Sequence, residues 1–188
     1  MWIFLGVLAL ILITVAASVI GLYNALVRAR QMVQEAWSGI DVQLKRRADL
    51  VPNLVETVKG YARHEKEALE RVTDMRTRAQ GVPAGDIKAR AAAEGMLGQA
   101  LGRLLAVAEA YPDLKASQNF AELQRALEST EREIQMARRY YNGSVRALNT
   151  KVESFPSNLV AGQFGFHKAD YFELADPAER EVPEVKLA

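Results

Sequence analysis

The sequence lacks cysteine and has two histidines in its 188 residues. Without cysteine, disulfides, thiolate metal ligands and a cysteine nucleophile are all excluded. His64 and His167 stand apart, and neither has a second imidazole or thiolate at the spacing that zinc needs. The composition therefore predicts no metal site and no cofactor, and it predicts that His64 is a surface residue at a helix start.

Signatures of common enzyme and nucleic-acid sites are also missing. The segment Gly162–Gly165 lacks the lysine and the following helix of a phosphate-binding loop, and no G-x-S-x-G turn occurs. With 24 basic and 23 acidic residues, no field of one sign gathers nucleic acid or acidic substrates. The basic run Lys45–Arg47 lies between Asp41 and Asp49, which is typical of a helix surface facing solvent or a partner. We predict a protein that is not an enzyme and binds no nucleic acid. The sequence identifies no small-molecule substrate.

Charge is absent from one long apolar run, residues 2–27, which Arg28 follows directly. About 20 apolar residues suffice to cross roughly 30 Å of hydrocarbon. We therefore predict a membrane anchor over 1–27 that contacts lipid. The alternative is a cleaved secretory signal, but no basic residue precedes the run and its apolar core is long for a signal. The predicted membrane-anchor residues are Trp2, Leu8, Leu12, Val19 and Tyr23.

Basic residues follow the anchor, beginning with Arg28 and Arg30, and none precedes it. The positive-inside rule then predicts a single-pass protein of the cell (inner) membrane. Its N-terminus would lie outside and its C-terminal domain in the cytoplasm.

Helical periodicity extends from the anchor to residue 154, the predicted helical domain being 28–154. Four helices are predicted after the anchor, over 28–59, 65–80, from near Asp86 to Tyr111, and 119–153. Gly60 is predicted to end the first of them, the alternative being one helix that continues to Gln80. Helix lengths favour the break, because an up-and-down arrangement then returns residue 155 to the membrane surface. The predicted fold class is all-α: an N-terminal transmembrane helix, an antiparallel up-and-down bundle of about four helices and an irregular aromatic tail.

Three residues interrupt the helical patterns. Pro52 removes a backbone donor inside the first helix and is predicted to kink it. Arg47 falls on the apolar stripe, so it either buries its stem with its head at the edge or forms a subunit contact. Glu131 lies on the apolar side of the fourth helix, where we expect a paired structural carboxylate rather than a catalytic one.

The tail, residues 155–175, is apolar and rich in glycine, and it is predicted to be too broken for a helix. It needs cover from the bundle, from a neighbouring subunit or from the bilayer interface, whereas 176–188 is predicted to be flexible. Candidate interface residues are Arg47, Phe155, Phe164, Phe166, Tyr171 and Phe172. Side chains with an apolar body and a polar handle suit helix ends and interfaces. The predicted structural residues, most of them of this kind or at helix ends, are Trp37, Pro52, Asn53, Tyr111, Pro112, Asn119, Glu131, Tyr141 and Asn142. Asn119 is the predicted cap of the fourth helix.

Several spaced blocks resemble the LemA family of bacterial membrane proteins over nearly the whole chain. They are Tyr23–Val27, AWSGIDVQLKRRADLVPNLVETVKGYARHEK at 36–66, LLAVAEAYPDLKASQNFAELQ at 104–124, Thr130–Glu131, Tyr141–Asn142 and FPSNLVAGQFGF at 155–166. The resemblance implies one N-terminal spanning helix, a helical-bundle domain and a cytoplasmic location for it. It implies no reaction, although relatives among magnetosome-membrane proteins suggest membrane organisation.

Two functional hypotheses follow. The first is a non-enzymatic membrane scaffold that forms a homo-oligomer through its helical domain. The second is an adaptor that docks another membrane protein, such as a protease or a signalling receptor, without a stable homo-oligomer. An enzyme is the third class, and it would require a reaction that depends on Glu131.

Overall fold

The computed structural model of the protein describes residues 1–83 and 85–173. The predicted flexible end, 176–188, and the last two residues of the predicted tail lie outside these ranges. No strand occurs in the described residues, so the all-α class is confirmed. The helices are α1 (Trp2–Tyr61), α2 (Lys66–Gln80), α3 (Ile87–Ala108), α4 (Pro112–Lys115), α5 (Gln118–Glu153) and α6 (Ser157–Gln163).

The anchor and the first helix of the domain are one helix, because α1 runs unbroken from Trp2 to Tyr61. It ends one residue after Gly60, and α2 begins at Lys66. The predicted break is therefore confirmed, and the alternative of a single helix reaching Gln80 is wrong. Pro52 lies inside α1 without ending it.

The described residues form two compact units. The anchor unit comprises residues 1–40 and 137–170, and the core unit comprises residues 41–136 with 171–173. Both α1 and α5 contribute a stretch to each unit.

The core unit buries the helix faces that periodicity predicts. On α1 the predicted stripe is buried, with Val51 1% and Val58 0% exposed. Side chains of α2, α3 and α5 complete one hydrophobic cluster. Its largest fully buried members from α3 and α4 are Leu97, Leu104 and Leu114.

Local signals at the start of α3 also act as predicted. Asp86 is its N-cap, and the side chain accepts a hydrogen bond from the backbone N–H of Ala89 at 2.9 Å. The cap satisfies one of the donors that every helix start leaves unpaired.

Two predictions between α3 and α5 need correction. The segment expected to be a linker holds α4, which Pro112 opens and whose Leu114 is fully buried. Proline suits the first helical position, where no N–H is required. Helix α5 begins at Gln118, so Asn119 lies exposed in its first turn and is not the cap. Gln118 instead donates to the Glu122 carboxylate at 2.9 Å.

Candidate functional site

The first half of α1 presents an apolar surface. An 18-residue window near its start has mean hydropathy 2.9 and no buried residue, and the described residues contain one helix apolar and long enough to span a membrane. Trp2, Leu8 and Leu12 are 83%, 45% and 61% exposed. Thr14 and Ser18 donate their hydroxyls to carbonyls four residues earlier, at 2.9 and 2.8 Å. Their polar groups are thereby satisfied within the helix, as a hydrocarbon environment requires.

The aromatic tail contains a helix, which corrects the prediction that it is too broken for one. Helix α6 ends at Gln163, and Gly165, two residues later, has φ +68°. The N–H of Phe166 donates to the carbonyl of Ala161 at 2.9 Å across this turn. This is the Schellman arrangement, in which a left-handed glycine closes a helix. The glycine that made the tail look irregular is therefore the residue that ends α6.

Helix α6 and the turn after it pack on the anchor within the anchor unit. Leu26, Val160, Ala161 and Phe166 form a buried cluster, against which Val19, Leu22, Val27 and Val152 pack. Tyr23 lies edge-on to both Phe164 and Phe166, with ring centroids 5.0 and 5.7 Å away. The Arg30 guanidinium stands 5.0 Å above the Phe166 ring, a cation–π contact. The tail is thus covered partly by α1 of its own chain.

The candidate aromatic residues of the tail separate into two groups. Phe166 and Phe172 are 6% and 0% exposed, and Tyr171 is half-buried. Phe155 and Phe164 remain 80% and 54% exposed. The buried members are fixed inside the chain, which leaves Phe155 and Phe164 as the exposed aromatic surface.

Two side chains of α5 hold the extended segment after α6. Asn149 donates to the carbonyl of Ala169 at 3.0 Å and accepts from its N–H at 2.8 Å. Tyr141 donates its hydroxyl to the carbonyl of Asp170 at 2.9 Å. Burial, followed by the charge of Asp170, raises the pKa of Tyr141 to about 12. Trp37 lies edge-on to the Tyr141 ring at 5.6 Å, so this tyrosine joins α1, α5 and the tail.

In the core unit, Arg47 is buried and paired. Its guanidinium donates to the Glu94 carboxylate at 2.6 Å, to the Glu94 carbonyl at 3.1 Å and to Glu131 at 2.8 Å. Arg47 is 2% exposed and Glu94 is 1% exposed. Arg90 donates to the other Glu94 oxygen at 2.8 Å and faces Asp41 at 3.4 Å. We call Arg47, Arg90, Glu94, Glu131 and Asp41 the ion-pair cluster.

This cluster corrects both interpretations of Arg47. Its head does not reach the edge, and both terminal nitrogens of its guanidinium donate inside the chain. Burial lowers the pKa of Arg47, but the Glu131 and Glu94 carboxylates raise it by more, so the net shift is upward. The arginine therefore remains charged, and the charges of Arg47, Glu94 and Glu131 are balanced by pairs within the cluster. Among the described residues no three His, Cys, Asp or Glu side chains are grouped to hold a metal.

Sequence reasoning missed Glu94 and Asn149. Glu94 follows Ala91 and precedes Leu97 at helical spacing, so its position on the inner face was visible. Asn149 lies four positions after buried Val145 on the same helix face, but no sequence signal marked its backbone partners.

The remaining polar candidates have local roles. The Tyr111 hydroxyl donates to Glu65 at 2.9 Å, and this bond raises the pKa of Tyr111. Asn53 is exposed, and its carbonyl accepts from the Thr57 hydroxyl at 2.8 Å. Asn142 is half-buried and takes part in an interaction within the described chain.

A long helix whose first half is apolar and exposed, and which continues into a domain of packed helices, defines a membrane-associated all-α protein. The family profile of LemA matches residues 36–187, and the chain belongs to the LemA family.

Curated relatives agree with this assignment. The chain is 30% identical over 177 residues to Magnetosome protein MamQ 1 of Paramagnetospirillum magneticum, covering 80% of this chain and 64% of that protein. It is 26% identical to Magnetosome protein MamQ of Magnetospirillum gryphiswaldense, over 89% of this chain and 71% of the relative. Protein LemA of Metamycoplasma hominis is 27% identical to this chain, over 84% of this chain and 71% of that protein. The chain thus spans somewhat under two thirds of the MamQ 1 relative.

Proposed function

We propose that this protein is a non-enzymatic, single-pass membrane scaffold that self-associates through its helical domain. The observation that carries the proposal is the exposure of Val42 and Met136 in the core unit, at 62% and 48%. They stand five positions before Arg47 and five after Glu131, whose side chains are in contact at 2.8 Å. Each is a large exposed apolar side chain, one on α1 and one on α5. Exposed apolar side chains of this kind are suited to contact with another protein.

The ion-pair cluster supports a structural rather than a chemical role for the domain. Its carboxylates are paired with Arg47 and Arg90, which leaves the buried charge satisfied without a substrate. A buried pair of this kind specifies how helices are arranged more than it adds stability. A rigid module with apolar surface residues is what a scaffold requires.

Membrane attachment strengthens any weak contact between copies. Two domains held at one membrane face meet at a much higher effective concentration than free domains do. The names of the MamQ relatives place those proteins at magnetosomes, which supports membrane organisation as the role to test here.

Crosslinking in native membranes tests self-association. The chain has no cysteine, so Val42→Cys provides one thiol for a short homobifunctional reagent. We expect a band at twice the chain mass. Glu56→Cys, an exposed residue of the same helix, is the matched control and should give less of it. A Val42 thiol that forms no dimer above the control would contradict the proposal.

An adaptor role is the second candidate, and a groove in the core unit favours it. The groove is about 930 Å³ and lies between the end of α1 and α2. Val55 and Leu69 provide its apolar surface, and Lys59 and Glu70 provide opposite charges. Photo-crosslinking from Glu70 in native membranes distinguishes the roles. A single different protein captured there, together with a monomeric chain, supports the adaptor.

We also propose the orientation in which the helical domain faces the cytoplasm of the inner membrane. Arg28 and Arg30 at the end of the apolar run support it through the positive-inside rule. The Glu56→Cys thiol should resist an impermeant maleimide added to intact cells and should react after permeabilisation. Labelling of intact cells would reverse the orientation.

A further inference from the structure

We propose that residues 154–166, which include α6, form a second membrane-embedded element that enters the bilayer beside the anchor and returns to the same side. Its outer face contacts lipid hydrocarbon. The inference concerns lipid contact and is independent of self-association.

The position of α6 along the anchor is the first argument. Pro156, Leu159 and Val160 line one small cavity with residues of α1 between Thr14 and Leu22. Leu22 and Thr14 precede Arg28, the first charged residue, by about 9 and 21 Å along a helix. Since hydrocarbon spans about 30 Å, this stretch of α1 lies inside it, from the leaflet next to the charged flank to just past the midplane. A segment packed against it is at the same depth.

The sequence of the segment suits that depth. No charged residue occurs from Ser154 to Phe166, whereas Glu153 precedes the segment and Lys168 follows it closely. These two charges pair with each other at 2.7 Å, so both ends of the segment meet at one level. The chain therefore enters and leaves at a charged boundary, with only uncharged residues between.

Helix α6 has a buried face and an exposed face, and the exposed face carries Asn158 and Gln163 besides Leu159. Ser157, Val160 and Ala161 are buried. Small residues on such a face let helices approach closely within a bilayer. On the outer side, Leu159 and Phe155 are 64% and 80% exposed. This outer surface is continuous with the exposed apolar surface of the anchor, and that continuity identifies hydrocarbon as its occupant.

Backbone hydrogen bonding is the independent second argument. In hydrocarbon each backbone polar group needs an internal partner. The N–H groups of Asn158 and Leu159 donate to the carbonyls of Ser154 and Pro156 at 2.8 and 3.2 Å. The Ser157 hydroxyl lies 2.7 Å from the carbonyl of Lys151, near the end of α5, where carbonyls lack helical partners.

The turn after α6 is closed in the same way. Phe164 donates its N–H to Val160 at 3.0 Å, and Phe166 donates to Ala161 at 2.9 Å. The N–H groups of Asn158, Leu159, Phe164 and Phe166 are thus satisfied without water.

Spin-label accessibility tests the inference in the full-length protein reconstituted in lipid nanodiscs. Leu159→Cys carries the label, with Leu12→Cys in the anchor as the hydrocarbon reference. Lys115→Cys in α4 is the matched aqueous control, since its exposure of 61% nearly equals the 64% of Leu159. Oxygen dissolves in hydrocarbon, and a nickel chelate stays in water. Circular dichroism confirms that each labelled protein keeps its helix content.

We expect the label at Leu159 to behave like that at Leu12, with an oxygen-to-nickel collision ratio at least several-fold above that at Lys115. A ratio equal to that at Lys115 would place α6 in water and overturn the inference. Low collision with both reagents would show cover by protein, and would overturn it equally. A label at Phe155→Cys repeats the measurement if the Leu159 variant does not fold, and the same outcomes apply.

Discussion

The Nε–H of Arg76 donates to the carbonyl of Ala48 at 2.7 Å. Ala48 is four residues before Pro52, and proline has no N–H to offer that carbonyl. Arg76, from α2, therefore supplies the hydrogen bond that Pro52 withholds inside α1. The pair explains how a 60-residue helix passes a proline without ending.

A substitution cycle tests this relationship. Arg76→Met should lower the free energy of unfolding by about 1–3 kcal/mol, because the Ala48 carbonyl loses its partner. In a Pro52→Ala background the backbone N–H returns, and the same substitution should cost clearly less. Urea unfolding followed by circular dichroism measures both, with Arg78→Met, exposed on the same helix, as the control. Equal costs in the two backgrounds would show that Arg76 and Pro52 are unrelated.

The ion-pair cluster predicts a large effect of one substitution and its repair by a second. Arg47→Met should destabilise the domain by about 3–5 kcal/mol, because a buried carboxylate loses its main partner. Adding Glu94→Leu removes the uncompensated charge and should recover most of the loss. Arg46→Met, an exposed neighbour, should change stability by less than about 0.5 kcal/mol. The prediction is wrong if the double variant is as unstable as Arg47→Met.

Tyr141 should titrate late and make stability depend on pH in the alkaline range. Its folded pKa is raised to about 12, above the value of about 10 for an unfolded tyrosine. The folded state therefore favours the neutral hydroxyl, whose contribution is complete below pH of about 10 and is lost as the pH rises towards about 12. Phenolate absorbance should show a late step that Tyr141→Phe abolishes and Tyr140→Phe leaves in place.

Two neighbouring glycines should respond oppositely to alanine. Gly165 has φ +68°, where a Cβ is strained, so Gly165→Ala should destabilise α6 by about 1 kcal/mol. Gly162 lies inside α6, and among the described residues nothing lies within 4 Å of an added Cβ. Gly162→Ala should stabilise α6 by about 0.5–1 kcal/mol. Amide hydrogen exchange of residues 157–166 measures both, and changes of the same sign would contradict the assigned cap.

The helices were predictable because their signals are local. The stripes through Ile40, Leu44 and Val58 repeat at helical spacing, and the Gly60 and Asp86 signals depend on residues a turn away. The partners of Arg47 were not predictable in full, since Glu94 is 47 positions away and only packing brings it there. The glycine content of the tail suggested an irregular segment, because glycine is unfavourable inside a helix. Gly165 instead lies just after the end of α6, where glycine is the favoured residue.

Two glycines of α3, Gly98 and Gly102, differ in what they face. An added Cβ at Gly98 would lie 3.7 Å from Arg47 Nη1, whereas at Gly102 no described atom is within 4 Å. The first glycine faces the ion-pair cluster and the second faces open space.

The mass of the full-length protein in lipid nanodiscs, measured across a range of concentrations, tests the scaffold proposal most directly. The account predicts assemblies of more than one 20.8 kDa chain, which the double variant Val42→Lys with Met136→Lys shifts towards the monomer. Met96→Lys, an exposed apolar residue of α3, serves as the control that leaves the assemblies intact. A particle that contains one chain at every concentration would contradict the account.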